Sequence, residues 1–158
     1  MKMIKTDELL KLGWALAEEE ARGLGAPSIE PEHFLLAALK IADEEFPSQL
    51  DKLDIDSVRW KAICKDAVRL RGYLDVLPNK IAEVRRRLRH RLARTANQPI
   101  ADDVHIHRSR KTLAAFFDAQ THLEGEVLSL LQLMKSMFEL EFLEVIDMRW
   151  RGQTQTFH

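Results

Sequence analysis

Leu16-Ala17-Glu18-Glu19-Glu20-Ala21-Arg22-Gly23-Leu24-Gly25, followed after a short loop by Ile29-Glu30-Pro31-Glu32-His33-Phe34-Leu35-Leu36-Ala37-Ala38-Leu39, decides the fold. The first half ends an amphipathic helix. Its start lies at Thr6 or Asp7, both good N-cap residues. Leu9, Leu10, Leu12, Leu16, Ala17 and Ala21 recur on one face of a 3.6-residue period, and Glu18, Glu19, Glu20 and Arg22 take the wet face. Gly23 and Gly25 stop the helix, because glycine enters the left-handed region cheaply. Pro31 then suits a first helical position, where its missing N–H would be unpaired anyway. Phe34, Leu35, Ala38, Leu39 and Ala42 form the expected buried stripe of this second helix.

Working outward, Pro47 breaks the pattern, and Ser48 to Leu53 reads as a short third helix. Asp56 or Ser57 caps the next, with Val58, Trp60, Ile63, Ala67, Val68 and Leu70 apolar and Gly72 closing it. Pro78 opens a basic helix to about Ala96, with Ile81, Val84, Leu88 and Leu92 as its apolar seam and its arginines expected outward. A linker, 97–103, precedes three more helices expected near 107–122, 125–136 and 137–150, and a polar tail, 151–158. No strand with period-two alternation stands out. The expected class is all-α, with about seven or eight helices.

The 158 residues suffice for a sizeable core without disulfides or metal. A net charge of -1 gives no global attraction to nucleic acid or anionic membrane. Cys64 is the single cysteine, so no internal disulfide forms; its spacing with Ile63, Ala67 and Val68 suits a small core residue. The N-terminus lacks the apolar run of a signal peptide, and no stretch approaches the roughly 18 apolar residues of a membrane span. A cytoplasmic protein is expected.

The quoted stretch resembles the first repeat of the amino-terminal domain of Clp-type AAA+ unfoldases. That repeat carries a helix ending in Glu-Ala-Arg-x-Leu-Gly, a short loop, and Ile-x-x-Glu-His-Leu-Leu-Leu. A weaker second copy begins near Val104, with Leu123-Glu124-Gly125-Glu126-Val127-Leu128-Ser129-Leu130-Leu131 in the place of the Glu-His segment. The resemblance covers most of the chain and is sharp in the first quarter. It implies a single domain of two pseudo-symmetric helical repeats, about 4–72 and 104–150, separated by a basic helical insertion of about 73–103. It further implies a module that recruits unfolded or tagged protein substrates, or an adaptor protein, to a Clp-type chaperone or protease in protein quality control. A stand-alone accessory protein docking on Clp ATPase or protease subunits is the nearest alternative. A nucleic-acid-binding regulator is another.

Chemistry of its own is not expected. The chain has no Gly-Lys-Ser/Thr phosphate cradle, so it is expected neither to bind nor to hydrolyse ATP. It lacks His-Glu-x-x-His, Gly-x-Ser-x-Gly and Cys-x-x-Cys. Asp51, Asp54 and Asp56 lack the spacing of a calcium loop, and His105 and His107 have no identifiable third ligand, so no cofactor or metal is expected. His33 reads as structural.

Two candidate sites remain. Glu32, in a first helical turn, is favoured there by the helix dipole alone. By the resemblance, Thr6, Asp7, Glu32, Phe34 and Glu126 hold peptide, with Glu32 and Glu126 in equivalent niches taking arginine side chains and an apolar groove beside Phe34. The second site is the basic surface of Lys80, Arg85, Arg86, Arg87, Arg89 and Arg91, against which only Glu83 is set. It is either a solvated face or a dock for an acidic partner or nucleic-acid phosphate. The absence of interleaved aromatics weighs against nucleic acid.

Overall fold

A computed structural model describes residues 5–43, 57–75, 80–93, 98–123 and 125–143. Six helices lie within them: α1 (Glu8–Gly23), α2 (Pro31–Ala42), α3 (Ser57–Leu74), α4 (Ile81–Ala93), α5 (Arg110–Thr121) and α6 (Leu130–Glu139). The chain is mostly helical, as its periodicity predicts. The expected short helix at 48–53, the aspartates at 51–56 and the tail lie outside the described residues.

The α1–α2 hairpin forms where the decisive stretch places it. Asp7 caps α1, its carboxylate accepting the Leu10 N–H at 2.8 Å. At the other end Gly25 takes φ 68°. The Ala26 N–H then reaches the Ala21 carbonyl at 2.9 Å and the Gly25 N–H the Arg22 carbonyl at 3.1 Å, which satisfies carbonyls left over at the helix end. Pro31 opens α2.

Helix α2 is the centre of the molecule, touching α1, α3, α4 and α6. It is therefore buried nearly all round, not along one stripe: only Glu32 and Lys40 escape burial. Trp14, Phe34 and Phe116 meet in the core where α1, α2 and α5 converge, the last two rings edge to face at 5.7 Å. The α5–α6 hairpin closes the other side, α6 lying against α1, α2 and α3. Gly13 lets α1 approach α6 closely; a Cβ there would lie 3.0 Å from Leu130 Cδ2.

Several boundaries differ from the sequence reading. A two-residue strand β1 (Lys5–Thr6) pairs in parallel with β2 (Val127–Leu128), and Ile29 bridges Arg108 in the same sense. These are too short for any alternation to show. Helix α3 runs past Gly72 to Leu74, and Val58 and Val68 lie exposed on it, at 77% and 61%. Cys64 is half-buried. The last described helix begins at Leu130, not near Gly125, because β2 and its following N-cap, Ser129, occupy the intervening residues. It continues through Met137 to Glu139 and ends on Glu141, which takes φ 59°.

The two parallel pairings have matching connectivity. Thr6, Arg108, Ile29 and Leu128 each stand immediately before a helix N-cap: Asp7, Ser109, Glu30 and Ser129 respectively. Each pairing joins the entrance of one hairpin's first helix to the entrance of the other hairpin's second helix. The Asp7 N–H donates to the Leu128 carbonyl and the Ser109 N–H to the Ile29 carbonyl, both at 3.0 Å.

Candidate functional site

The junction of these four helix entrances gathers most of the peptide-site residues expected from the sequence. Thr6 lies in β1, opposite Leu128. Asp7 is spent on the α1 cap and on the β1–β2 junction, and burial raises its carboxyl pKa. Glu32 sits half-buried at the second position of α2.

Two expectations are corrected. Phe34 is fully buried against Trp14 and Phe116, so its ring offers no contact to a bound peptide. A ring at the centre of a helix surrounded by four others has no face left for a ligand. Glu126 is not the counterpart of Glu32 either. It precedes β2, is 77% exposed, and lies 3.8 Å from Lys5. Counting from the N-caps, Leu131 holds in α6 the position that Glu32 holds in α2. The sequence alignment placed Glu126 too early because the Glu-His spacing in the first hairpin has no literal copy in the second.

His33 is structural in its contacts. Its Nδ1 accepts the Glu30 N–H at 2.8 Å, which fixes the proton on the other ring nitrogen. Burial lowers its pKa to about 4, against the smaller opposing pull of Glu30 and Glu20.

The basic helix, α4, turns Ile81 and Leu88 into the core with Val84 and Leu92 packed partly against it. Its arginines are not all outward. Arg89 Nε donates to Glu20 Oε2 at 3.1 Å, and its terminal nitrogen to Glu20 Oε1. Arg85 comes within 3.9 Å of the same carboxylate, and its Nε is buried with no hydrogen-bond partner among the described residues. Burial lowers the Arg85 pKa, with like-charged Arg89 adding to the effect; the hydrogen bond to Glu20 raises that of Arg89. Lys80 and Arg87 pair with Glu83 at 3.4 and 2.7 Å. Arg86 is exposed, as is Arg91. Much of the expected basic surface is thus neutralised within the fold.

A different cation stands out, outside both expected sites. The Arg108 guanidinium lies 4.4 Å from the Trp14 ring centroid and 4.7 Å from that of Phe116. Burial lowers its pKa. Trp14 stands three residues before Ala17 and four after Leu10, which puts it at the edge of the buried face; that spacing was the available signal. The exposed rings of His105 and His107 touch edge to face at 4.4 Å, and no group of three metal-binding side chains occurs among the described residues.

Comparisons with protein-family models, with curated proteins and with solved structures find no match. No helix among the described residues is long and apolar enough to cross a membrane.

Proposed function

We propose that this chain is a cytoplasmic protein-binding module of the Clp amino-terminal type, built as two pseudo-symmetric helical repeats, which recruits unfolded or tagged substrates or an adaptor to a Clp-type chaperone or protease. The observation that carries the reading is the reciprocal pairing of helix entrances, Asp7 N–H to Leu128 O and Ser109 N–H to Ile29 O. Two hairpins that exchange the same contact are what a duplicated helical unit produces. The motif from Leu16 to Leu39 supports the family-level reading, because amphipathicity alone does not generate the Leu24-Gly25 loop and the Glu32-His33 pair at that distance. In this reading the module does no chemistry of its own; Asp7, Glu20 and His33 are each held by structural hydrogen bonds. A stand-alone accessory protein docking on Clp subunits would use the same fold.

The internal pairing of Arg85 and Arg89 with Glu20 weighs against a nucleic-acid regulator, because two of the cations of α4 serve to fasten it to α1. The test is a titration of the purified chain into a labelled, permanently unfolded polypeptide, in parallel with ATP–magnesium and duplex DNA. Saturable binding of the polypeptide alone supports the reading. Binding of ATP, or tight salt-resistant binding of DNA, overturns it.

A further inference from the structure

We propose that the segment entering α5 is a docking site for an acidic peptide of a partner protein, with Arg108 as its anchor and Phe117 as its apolar contact. This rests on the reading of the chain as a protein-binding module and specifies the chemistry of what it binds.

Arg108, Arg110 and Lys111 fall within four consecutive residues, and no carboxylate among the described residues pairs with any of them. The contrast with α4 and the residue before it is direct: Lys80, Arg85, Arg87 and Arg89 all have acidic partners in the fold. The Arg108 guanidinium carbon lies over the Trp14 ring and the Phe116 ring, 4.4 and 4.7 Å from their centroids. Contact with ring faces does not by itself use up the N–H donors of a guanidinium, and a carboxylate matches its fork through two parallel hydrogen bonds. Because the group is half-buried, water competes less well for it than at an open surface. Arg110 and Lys111 stand in the first turn of α5, where the helix dipole disfavours a cation until an anion joins it.

The outer face of α5 extends the site. Arg110, Ala114 and Phe117 are all exposed, and the last lies seven residues from the first, hence on the same face two turns on. Phe117 is 63% exposed, the most exposed phenylalanine, tyrosine or tryptophan among the described residues. A cationic start and an apolar end along one helix face fit a short segment with carboxylates followed by an apolar side chain.

The probes are fluorescein-labelled decaglutamate and the same peptide with a terminal phenylalanine, followed by anisotropy against the full chain. Both bind, the second more tightly, and affinity falls as salt rises. Arg108→Ala weakens binding by about tenfold, the loss of a charge-assisted pair of hydrogen bonds. Arg108→Lys keeps the charge but loses most of the same affinity, because it cannot form the fork. Arg110→Ala with Lys111→Ala, both at exposed positions, lowers affinity with an unchanged helical circular-dichroism spectrum. Arg86→Ala on α4 changes nothing. The proposal is overturned if neither peptide binds the parent chain, if Arg86→Ala weakens binding as much as Arg108→Ala, or if duplex DNA binds more tightly than the peptides and through Arg108. An unfolded polypeptide titrated alongside separates the two levels. If it binds and decaglutamate does not, the acidic site falls and the protein-binding reading stands; if neither binds, both fall.

Discussion

His33 and Gln132 make the same hydrogen bond. Each is the third residue of its helix, and each accepts the backbone N–H of its own N-cap residue, His33 Nδ1 from Glu30 at 2.8 Å and Gln132 Oε1 from Ser129 at 3.1 Å. One hairpin uses an imidazole and the other an amide for one structural task. The difference is that only the imidazole titrates.

That difference gives a pH prediction. His33 has a folded pKa of about 4 against an ordinary value of 6.5. Below pH 6.5 the unfolded chain takes up a proton that the folded chain refuses, so stability is full above that pH and drains away as pH falls toward 4. The loss amounts to about 3 kcal/mol at its limit. His33→Gln copies the bond of Gln132 without the titration. Urea midpoints measured from pH 7.5 down to about 4.5 should fall more steeply for the parent than for His33→Gln. Parallel curves would mean that His33 does not carry the effect.

Glu20 fastens α4 to α1 through Arg85 and Arg89. Glu20→Gln leaves the half-buried Arg85 with only the weaker pull of Asp43 and should destabilise the chain by about 2 kcal/mol. A change smaller than about 0.5 kcal/mol in urea unfolding would show the contact to be a surface pair of the ordinary kind.

At the end of α6, the Phe142 N–H reaches the Met137 carbonyl at 3.0 Å and the Glu141 N–H the Phe138 carbonyl at 3.1 Å. The pattern is that of Gly25 after α1, but a glutamate occupies the left-handed position. Glu141→Gly should therefore stabilise the chain by roughly 0.5–1 kcal/mol, since the side chain is exposed and loses little. A lower thermal midpoint in the variant would contradict this geometry.

The same comparison explains which parts of the fold were legible in the sequence. The α1–α2 hairpin carries its punctuation openly, with Asp7, Gly25 and Pro31 at positions whose backbone requires them. The α5–α6 hairpin does not. Its left-handed residue is Glu141, and its N-cap, Ser129, follows the apolar pair Val127-Leu128, which reads as helix until the pairing with Lys5 and Thr6 is known. Glu126 was misaligned with Glu32 for that reason. Phe34 reads in the sequence as part of one buried stripe with a groove beside it, because the number of neighbours around α2 is a tertiary fact that periodicity does not encode. The stacking of Arg108 on Trp14 and Phe116 likewise joins residues far apart in the chain. The basic helix was legible as a helix with an apolar seam, but the capture of Arg85 and Arg89 by Glu20 was not.

The buried Phe34 yields a prediction that separates core from surface. Phe34→Ala should cost about 3–5 kcal/mol through the cavity left beside Trp14 and Phe116. Phe34→Leu should cost less and leave partner binding unchanged, because the ring faces no solvent. A Phe34→Leu chain that keeps its thermal midpoint but loses binding would return Phe34 to the binding surface.

The central claim is that the chain binds protein and does no chemistry. Fluorescence anisotropy of a labelled, carboxymethylated unfolded polypeptide, titrated with the purified chain at physiological salt, tests it most directly. The account predicts saturable binding in the micromolar range, unchanged by ATP and magnesium and weakened by Arg108→Ala. No binding at concentrations where the chain remains folded and unaggregated would contradict it.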